Sequence, residues 1–278
     1  MAEAFSVLMC CYRGDAPDAL EAAFRSVTDG QTRRPDEVVL VQDGPVLPVL
    51  AGRIATLVER SPVPTRLVIL ETNVGLGTAL TRGLEACAHD IVARMDADDI
   101  SLPHRFATQI PVVEGGIDLV GSSLLEFGES PDDIVGRRVP LLQSDAILRS
   151  SRFHQTFNHP TVVYRASQVR AAGGYEDLPS LEDYLLFAKM IMHGVTVANI
   201  EEPLVLYRVG EGAYARRGGW ALLRSEWQLQ RRFRSMGFTT RTQWARNVLV
   251  RGTYRVVPEQ VRRTAYRTLL ARRGERRR

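Results

Sequence analysis

Three carboxylates fall within four positions of the segment MDADDISLPHR, residues 95–105: Asp96, Asp98 and Asp99. Like charges set so close need a cation among them or free access to water. Carboxylates two residues apart can bracket one hard divalent cation, and Mg2+ or Mn2+ held in this way keeps positions open for phosphate oxygens. A metal at Asp96 and Asp98 would neutralise a diphosphate and stabilise it as a leaving group. The plainer alternative is a solvated turn in which Ser101, ahead of Pro103, caps the next helix. Arg105 reads as a structural ion-pair partner of the cluster.

Rival motifs fail on detail. Counted from Asp96 as a calcium-binding helix–loop–helix, the positions that need Gly and Glu hold Ser101 and Ala107. GLGTAL supplies Gly75 and Gly77 but has Leu80 where a dinucleotide fingerprint needs its third glycine. There is no Walker A phosphate loop, and His and Cys do not cluster as zinc ligands would.

The cluster needs a frame to hold it. FSVLMCC (5–11) is an unbroken apolar run of strand length, as in a strand buried on both faces. A helical pattern beginning near Pro17 and closed by Gly30 follows, then DEVVLVQDG (36–44) as a second strand and a helix over 46–60. RLVILE (66–71) reads as a third strand, TNVGLGTALTRGLEAC as a glycine-containing turn opening a helix, and DIVARM (90–95) as the fourth strand. This βαβαβαβ succession predicts a doubly wound sheet, in which ligands bind outside the carboxyl ends of the strands. Tyr12, Asp43, Asn73 with Gly75, and Asp96–Asp99 then converge on one crevice. Beyond residue 110, strands are expected at 118–127 and 159–165, a helix at 181–194, and strand, turn, strand over 196–208.

The chain has 278 residues and a formal net charge of +4, with 45% hydrophobic and 24% charged residues, an ordinary globular composition. No apolar stretch is long enough to span a membrane, the N-terminus does not read as an export signal, and three cysteines form no even disulfide framework. The expected location is the cytoplasm. From residue 212 onward only Glu226, Glu259 and Glu275 are acidic, against a long series of arginines.

SVLMCCYRGD, VVLVQDGP, NVGLGTALTRGLEAC, ARMDADDISLPHRF, FNHPTVVYR, GGYED, LEDYLLFAKM and LYRVGEGAYARRGG occur in this order over residues 5–215. As a set they resemble the inverting family-2 glycosyltransferases of bacterial surface-polysaccharide synthesis. The resemblance implies an α/β fold, a doubly wound mixed sheet of the GT-A type flanked by helices. It implies a catalytic domain over 1–215, with a nucleotide-sugar half to about 110 and an acceptor half over 111–215. Residues 216–278 are expected to form a basic helical region. Tyr12, Asp43, Asn73 and Gly75 would hold the nucleobase, with Arg82 reaching in from the helix. Asp96 and Asp98 match the DxD motif, Asp98 toward Mn2+ or Mg2+ and Asp96 toward the ribose as well. Asp183 matches the catalytic base, and Glu182 an acceptor or sugar contact. Arg208, Arg216 and Arg217 would contact the diphosphate or the loop covering it. His159 reads either as a packed histidine or as part of the acceptor site; Tyr164 and Tyr184 read as core.

The activity implied is transfer of a sugar from a nucleotide donor, a UDP-sugar, to a saccharide or lipid-linked acceptor. One carboxylate base and one metal suffice for a single inverting displacement. The rivals are a sugar-nucleotide nucleotidyltransferase, whose glycine-rich first loop is missing, and a catalytically degenerate scaffold. The second is raised by one departure. Many relatives carry a histidine in a YR-x-H stretch that completes the metal shell, and here Gly210 stands in that place, followed by Glu211.

The arginine-rich end reads as amphipathic helices, with Trp220, Leu223 and Trp227 on one stripe and Leu222, Leu229, Phe233 and Met236 on another. They can pack on the catalytic domain, or meet an anionic membrane surface at the inner face of the cell membrane. Nucleic acid is not expected as a partner, since no recognised nucleic-acid fold accompanies the charge.

Overall fold

The computed structural model describes residues 3–210 and 220–256. Among them two compact units separate. One runs to Asp177 and resumes over Glu182–Val209, and the other takes Leu178–Leu181 and the described residues from Gly210 on.

The first unit is built on one sheet. Strands β1 (Phe5–Tyr12), β2 (Glu37–Asp43), β3 (Thr65–Ile69) and β4 (Ile91–Asp96) are joined through helices α1 (Pro17–Val27), α2 (Pro48–Glu59) and α3 (Leu76–Ala86). They pair in parallel in the order β3-β2-β1-β4. The chain therefore winds outward from β1 to β3 and returns to the other side of β1. The crevice where winding reverses lies between the ends of β1 and β4, and in a doubly wound sheet that is where ligands bind. The register sets Cys10 opposite Asp96, so Tyr12 stands just beyond the cluster.

Alternation along β1 explains its continuous apolar run. Phe5, Val7, Met9 and Cys11 face one core with Leu20 and Phe24 of α1 and Ile54 of α2. Leu8 faces a second core with Leu80 and Leu84 of α3. Helices thus cover both faces, so a polar side chain on these strands costs free energy unless it is partnered. Pro17 and Pro48 occupy first-turn positions where a missing N–H costs nothing.

The remaining strands extend the same sheet. They are β5 (Ile100–Ser101), β6 (Leu119–Phe127), β7 (Ile134–Arg138), β8 (Val163–Arg165) and β9 (Val197–Arg208). The order continues β4-β8-β6-β9-β5, with β7 paired to β6, and includes antiparallel and parallel neighbours. The two expected halves share one mixed sheet. Helices α4 (Arg105–Glu114), α5 (Ser144–Ser150), α6 (Ala166–Ala171) and α7 (Glu182–His193) complete this unit.

Several expectations are corrected here. Ser101 caps no helix: it lies in β5, its N–H bonded to Ser26 Oγ, and α4 begins only at Arg105. The segment expected as strand, turn, strand over 196–208 forms one strand, Val197–Arg208. Its register against β6 slips around Pro203, which has no N–H to give to a ladder. The strand expected over 159–165 begins with a 3-10 turn at His159–Thr161, leaving β8 three residues long.

In the second unit, α8 (Trp220–Ser235) and α9 (Arg241–Val256) are the described helices. Leu222, Leu229 and Phe233 are buried while Trp220 is 81% exposed, so the two stripes read from the sequence do separate. Glu226 is buried on α8 and paired with Arg251 at 2.6 Å and 2.9 Å. Glu211, Arg216, Arg217 and the helical pattern beyond residue 256 lie outside the described residues.

Candidate active site

β4 delivers the acidic cluster. Carboxylate oxygens of Asp96, Asp98 and Asp99 lie within 4.8 Å of one another, an oxygen-only set suited to a hard divalent cation. Two arginines already engage it. Arg94, 2% exposed, forms an ion pair with Asp96. Both stand on the same side of β4 because strand side chains alternate with a period of two. Arg208, at the end of β9, donates its backbone N–H to Asp99 Oδ1 at 2.8 Å and its Nε to the Asp98 carbonyl at 3.0 Å. Burial, followed by the charges of Asp96 and Asp98, pushes the Asp99 carboxyl well above the usual range, and its Oδ2 has no partner. The Asp98 carboxyl, though it reaches solvent, is raised by the desolvation of the cluster and by the charge of Asp96.

β1 and β2 supply the next wall. The Tyr12 ring is half exposed, and its N–H donates to Asp15 Oδ2 at 2.8 Å. Burial pushes the Asp15 carboxyl up to about 6, with Asp98 and Asp96 adding to the rise. Asp43 accepts from Val74 N–H at 2.7 Å, Gly75 N–H at 3.2 Å and Asn73 Nδ2 at 3.0 Å. It thereby shapes the turn that opens α3. Gly75 has φ +84°, a conformation that suits glycine at this helix start. A side chain on Gly77 would meet the Glu176 carbonyl at 2.8 Å and Glu182 Cβ at 3.3 Å, so this glycine lets the start of α7 come against α3.

The start of α7 carries the second acidic pair. Asp183 accepts from Gln155 Nε2 and, at 2.7 Å, from the Tyr184 N–H, with His159 Nδ1 3.8 Å from its Oδ2. Burial raises its carboxyl pKa; those two bonds and the field of Arg94 oppose the rise, and Asp96 adds to it. Burial and then Asp183 push Glu182 up to about 7. Two adjacent carboxylates in a poorly hydrated setting, each held above the usual range, can take up the proton of an attacking hydroxyl.

The family model "Glycosyl transferase family 2" matches residues 6–168, more than half of the chain. The chain is a family-2 glycosyltransferase.

This glycosyltransferase is 38% identical over 270 residues to the amylovoran biosynthesis glycosyltransferase AmsE of Erwinia amylovora, covering 94% of this chain and 97% of AmsE. It is 32% identical over 271 residues to the UDP-Gal:alpha-D-GlcNAc-diphosphoundecaprenol beta-1,3-galactosyltransferase of Escherichia coli, covering 96% and 97% of the two chains. Its fold is similar to that of the mannosyltransferase PcManGT from Pyrobaculum calidifontis, solved with GDP-Man and Mn2+. The TM-score is 0.61 at 17% identity, over 99% of this chain and 76% of that one. The architecture is that of GT-A glycosyltransferases.

In the glycosyltransferase, then, Tyr12, Asp43, Asn73, Gly75, Asp96, Asp98 and Arg208 gather at the carboxyl end of the sheet. Glu182 and Asp183 lie close enough for Asp96 to act on both. Arg82 does not join them in this arrangement, because on the exposed side of α3 its guanidinium pairs with Glu85 at 3.2 Å. His159 is packed rather than open to an acceptor. Its Nε2 bonds Tyr175 Oη at 3.0 Å, its ring lies against Tyr175 and Phe187, and burial keeps it neutral. Tyr164 and Tyr184 are core, as read. Arg105 is not the partner of the cluster. It is buried on Arg94 O at 2.7 Å and Gln109 Oε1 at 3.0 Å, its pKa pushed down to about 9 by burial. The partner is Arg94, whose signal was its parity with Asp96 in ARMD. Asp15 and Gln155 were also missed, and no spacing rule singles either out.

Proposed function

We propose that this glycosyltransferase transfers a sugar, with inversion, from a UDP-sugar to a saccharide or lipid-linked acceptor in cell-surface polysaccharide synthesis. The observation that supports the reading is the Asp96–Asp98–Asp99 cluster at the carboxyl end of β4, with Asp183 at the start of α7 near enough to feel the charge of Asp96. The names of the two curated relatives support it: one acts in amylovoran biosynthesis, the other on UDP-Gal and a diphosphoundecaprenol acceptor.

Asp98, with Asp96 and Asp99, would hold Mn2+ or Mg2+, and the all-carboxylate set fits such an ion. The ion, when bound, supplies the positive charge that a departing diphosphate requires. Tyr12, with its exposed ring beyond the cluster, is the platform for the uracil, and the Asp43–Asn73–Gly75 turn is its polar edge. Arg208 braces the cluster beside the diphosphate, and Arg216 would act with it. Asp183 accepts the proton of the acceptor hydroxyl as that oxygen attacks the anomeric carbon from the face opposite the leaving group. Glu182 lies on the acceptor side of the base. The basic second unit would seat the protein on an anionic membrane surface, where lipid-linked acceptors reside.

The test is a panel of nucleotide sugars incubated with acceptor and Mn2+, Mg2+ or chelator. The assay reads nucleoside diphosphate release and the anomeric configuration of the product. Release that needs metal, with inverted product, is expected; no release from any donor would make the chain a scaffold. Asp183→Asn should lower transfer by about three orders of magnitude while donor affinity changes little, since the base acts in the transition state. Near-normal turnover in that variant would remove Asp183 from the role.

A further inference from the structure

Arg94 is an unusual residue to find sealed within a sheet. It is 2% exposed, and while one edge of its guanidinium pairs with Asp96, Nε and Nη1 have no hydrogen-bond partner. A buried cation with unpartnered N–H groups is a poor way to stabilise a fold, and an apolar side chain would fill the volume with less penalty. Its charge must therefore act on something close by. The same face of β4 holds Val92, packed in the core that includes Phe187 of α7. The Arg94 N–H bonds the Val162 carbonyl at 3.0 Å, at the end of the turn that carries His159. His159 in turn lies 3.8 Å from Asp183.

We propose that Arg94 is the positioning residue that couples the two acidic stations of the site, anchoring Asp96 while its fixed charge keeps Asp183 available as the base. This rests on the assignment of Asp183 made above. The groups around Asp183 make the need plain. Glu182 on its own helix and Asp96 on β4 are acidic, His159 is held neutral by burial, and Tyr175 keeps its proton. Gln155 contributes a hydrogen bond without charge. Arg94 is the cation of this set, and in a poorly hydrated setting a fixed charge acts strongly over several ångströms. Lysine would carry the charge but not the planar, delocalised guanidinium that meets Asp96 through Nη2.

Carboxyl-carbon NMR titration of the full-length protein, free of metal and donor, reads the coupling directly, with the Asp183 signal assigned by its loss in Asp183→Asn. In Arg94→Gln or Arg94→Met the Asp183 midpoint should rise by about one pH unit or more, a tenfold loss of ionised base below the midpoint. Arg94→Lys should stay nearer the unsubstituted protein. Asp96→Asn, at a side chain 28% exposed, should move the midpoint the other way, because it removes a negative neighbour and leaves Arg94 in place. An unchanged midpoint in a folded Gln or Met variant would overturn the proposal. So would an unchanged midpoint in Asp96→Asn, which decides the matter if the neutral variants at 94 do not fold. A purely structural role would shift melting temperatures and leave the midpoint alone. Because the titration needs no donor or acceptor, its failure leaves the transfer assay standing. Full transfer by Asp183→Asn would remove the base without touching the titration.

Discussion

Glu182 binds its proton more tightly in the folded chain than in the unfolded one, with a pKa near 7 against an ordinary 4.5. Such a group contributes stability that is complete below about pH 4.5 and is lost as pH rises through 7. The metal-free protein should accordingly be more resistant to denaturant at pH 5 than at pH 8, by up to about 3 kcal/mol from this residue. Asp15, raised to about 6, acts in the same direction. Glu182→Gln should flatten the difference in a urea titration; an unchanged slope with pH would place the effect elsewhere. At this scale the legible residues were those whose chemistry has few other uses at a strand end: Asp96, Asp98, Asp43 and, by resemblance, Asp183. Arg94 stayed hidden because a single charge inside an apolar run says nothing of its partner until the strand's parity is applied. Gln155 was beyond reach, since the loop that carries it meets α7 only in three dimensions.

Helices α1, α2, α3 and α7 lie where the sequence pattern put them, and α3 shows how tightly. A side chain on Gly83 would strike Leu8 on β1 and come within 2.7 Å of Val41 Cγ2 on β2. Gly83→Ala should therefore destabilise the first unit by about 1–3 kcal/mol, as overpacking does, despite the higher helix propensity of alanine. Equilibrium denaturation checks this, and a stabilised variant would show that α3 can lift off the sheet. The four parallel strands were readable because each is a buried run ended by turn residues. The strands after residue 110 were less so. β5 has two residues, β8 three, and the slip in β9 depends on its pairing with β6, which a single segment does not display.

At the scale of the whole chain, no described helix is long and apolar enough to cross a membrane. Contact with a bilayer would fall to exposed aromatics and arginines. Trp220→Ala should weaken binding to vesicles rich in anionic lipid severalfold without changing the melting temperature, because so exposed a ring stabilises little. Undiminished sedimentation with the vesicles would turn attention from this helix. The pattern of stripes in this region was readable from spacing alone. That Glu226 would lie inside was not, because an acidic residue amid arginines reads as solvated. Its burial bears on any shortened version of the protein. A chain cut between 236 and 250 would keep the carboxylate and discard Arg251, removing the ion pair at 2.6 Å and 2.9 Å and costing the second unit stability. Workers trimming the tail for crystals or assays should end beyond Gly252 or before Trp220, and treat the two helices as a single cassette.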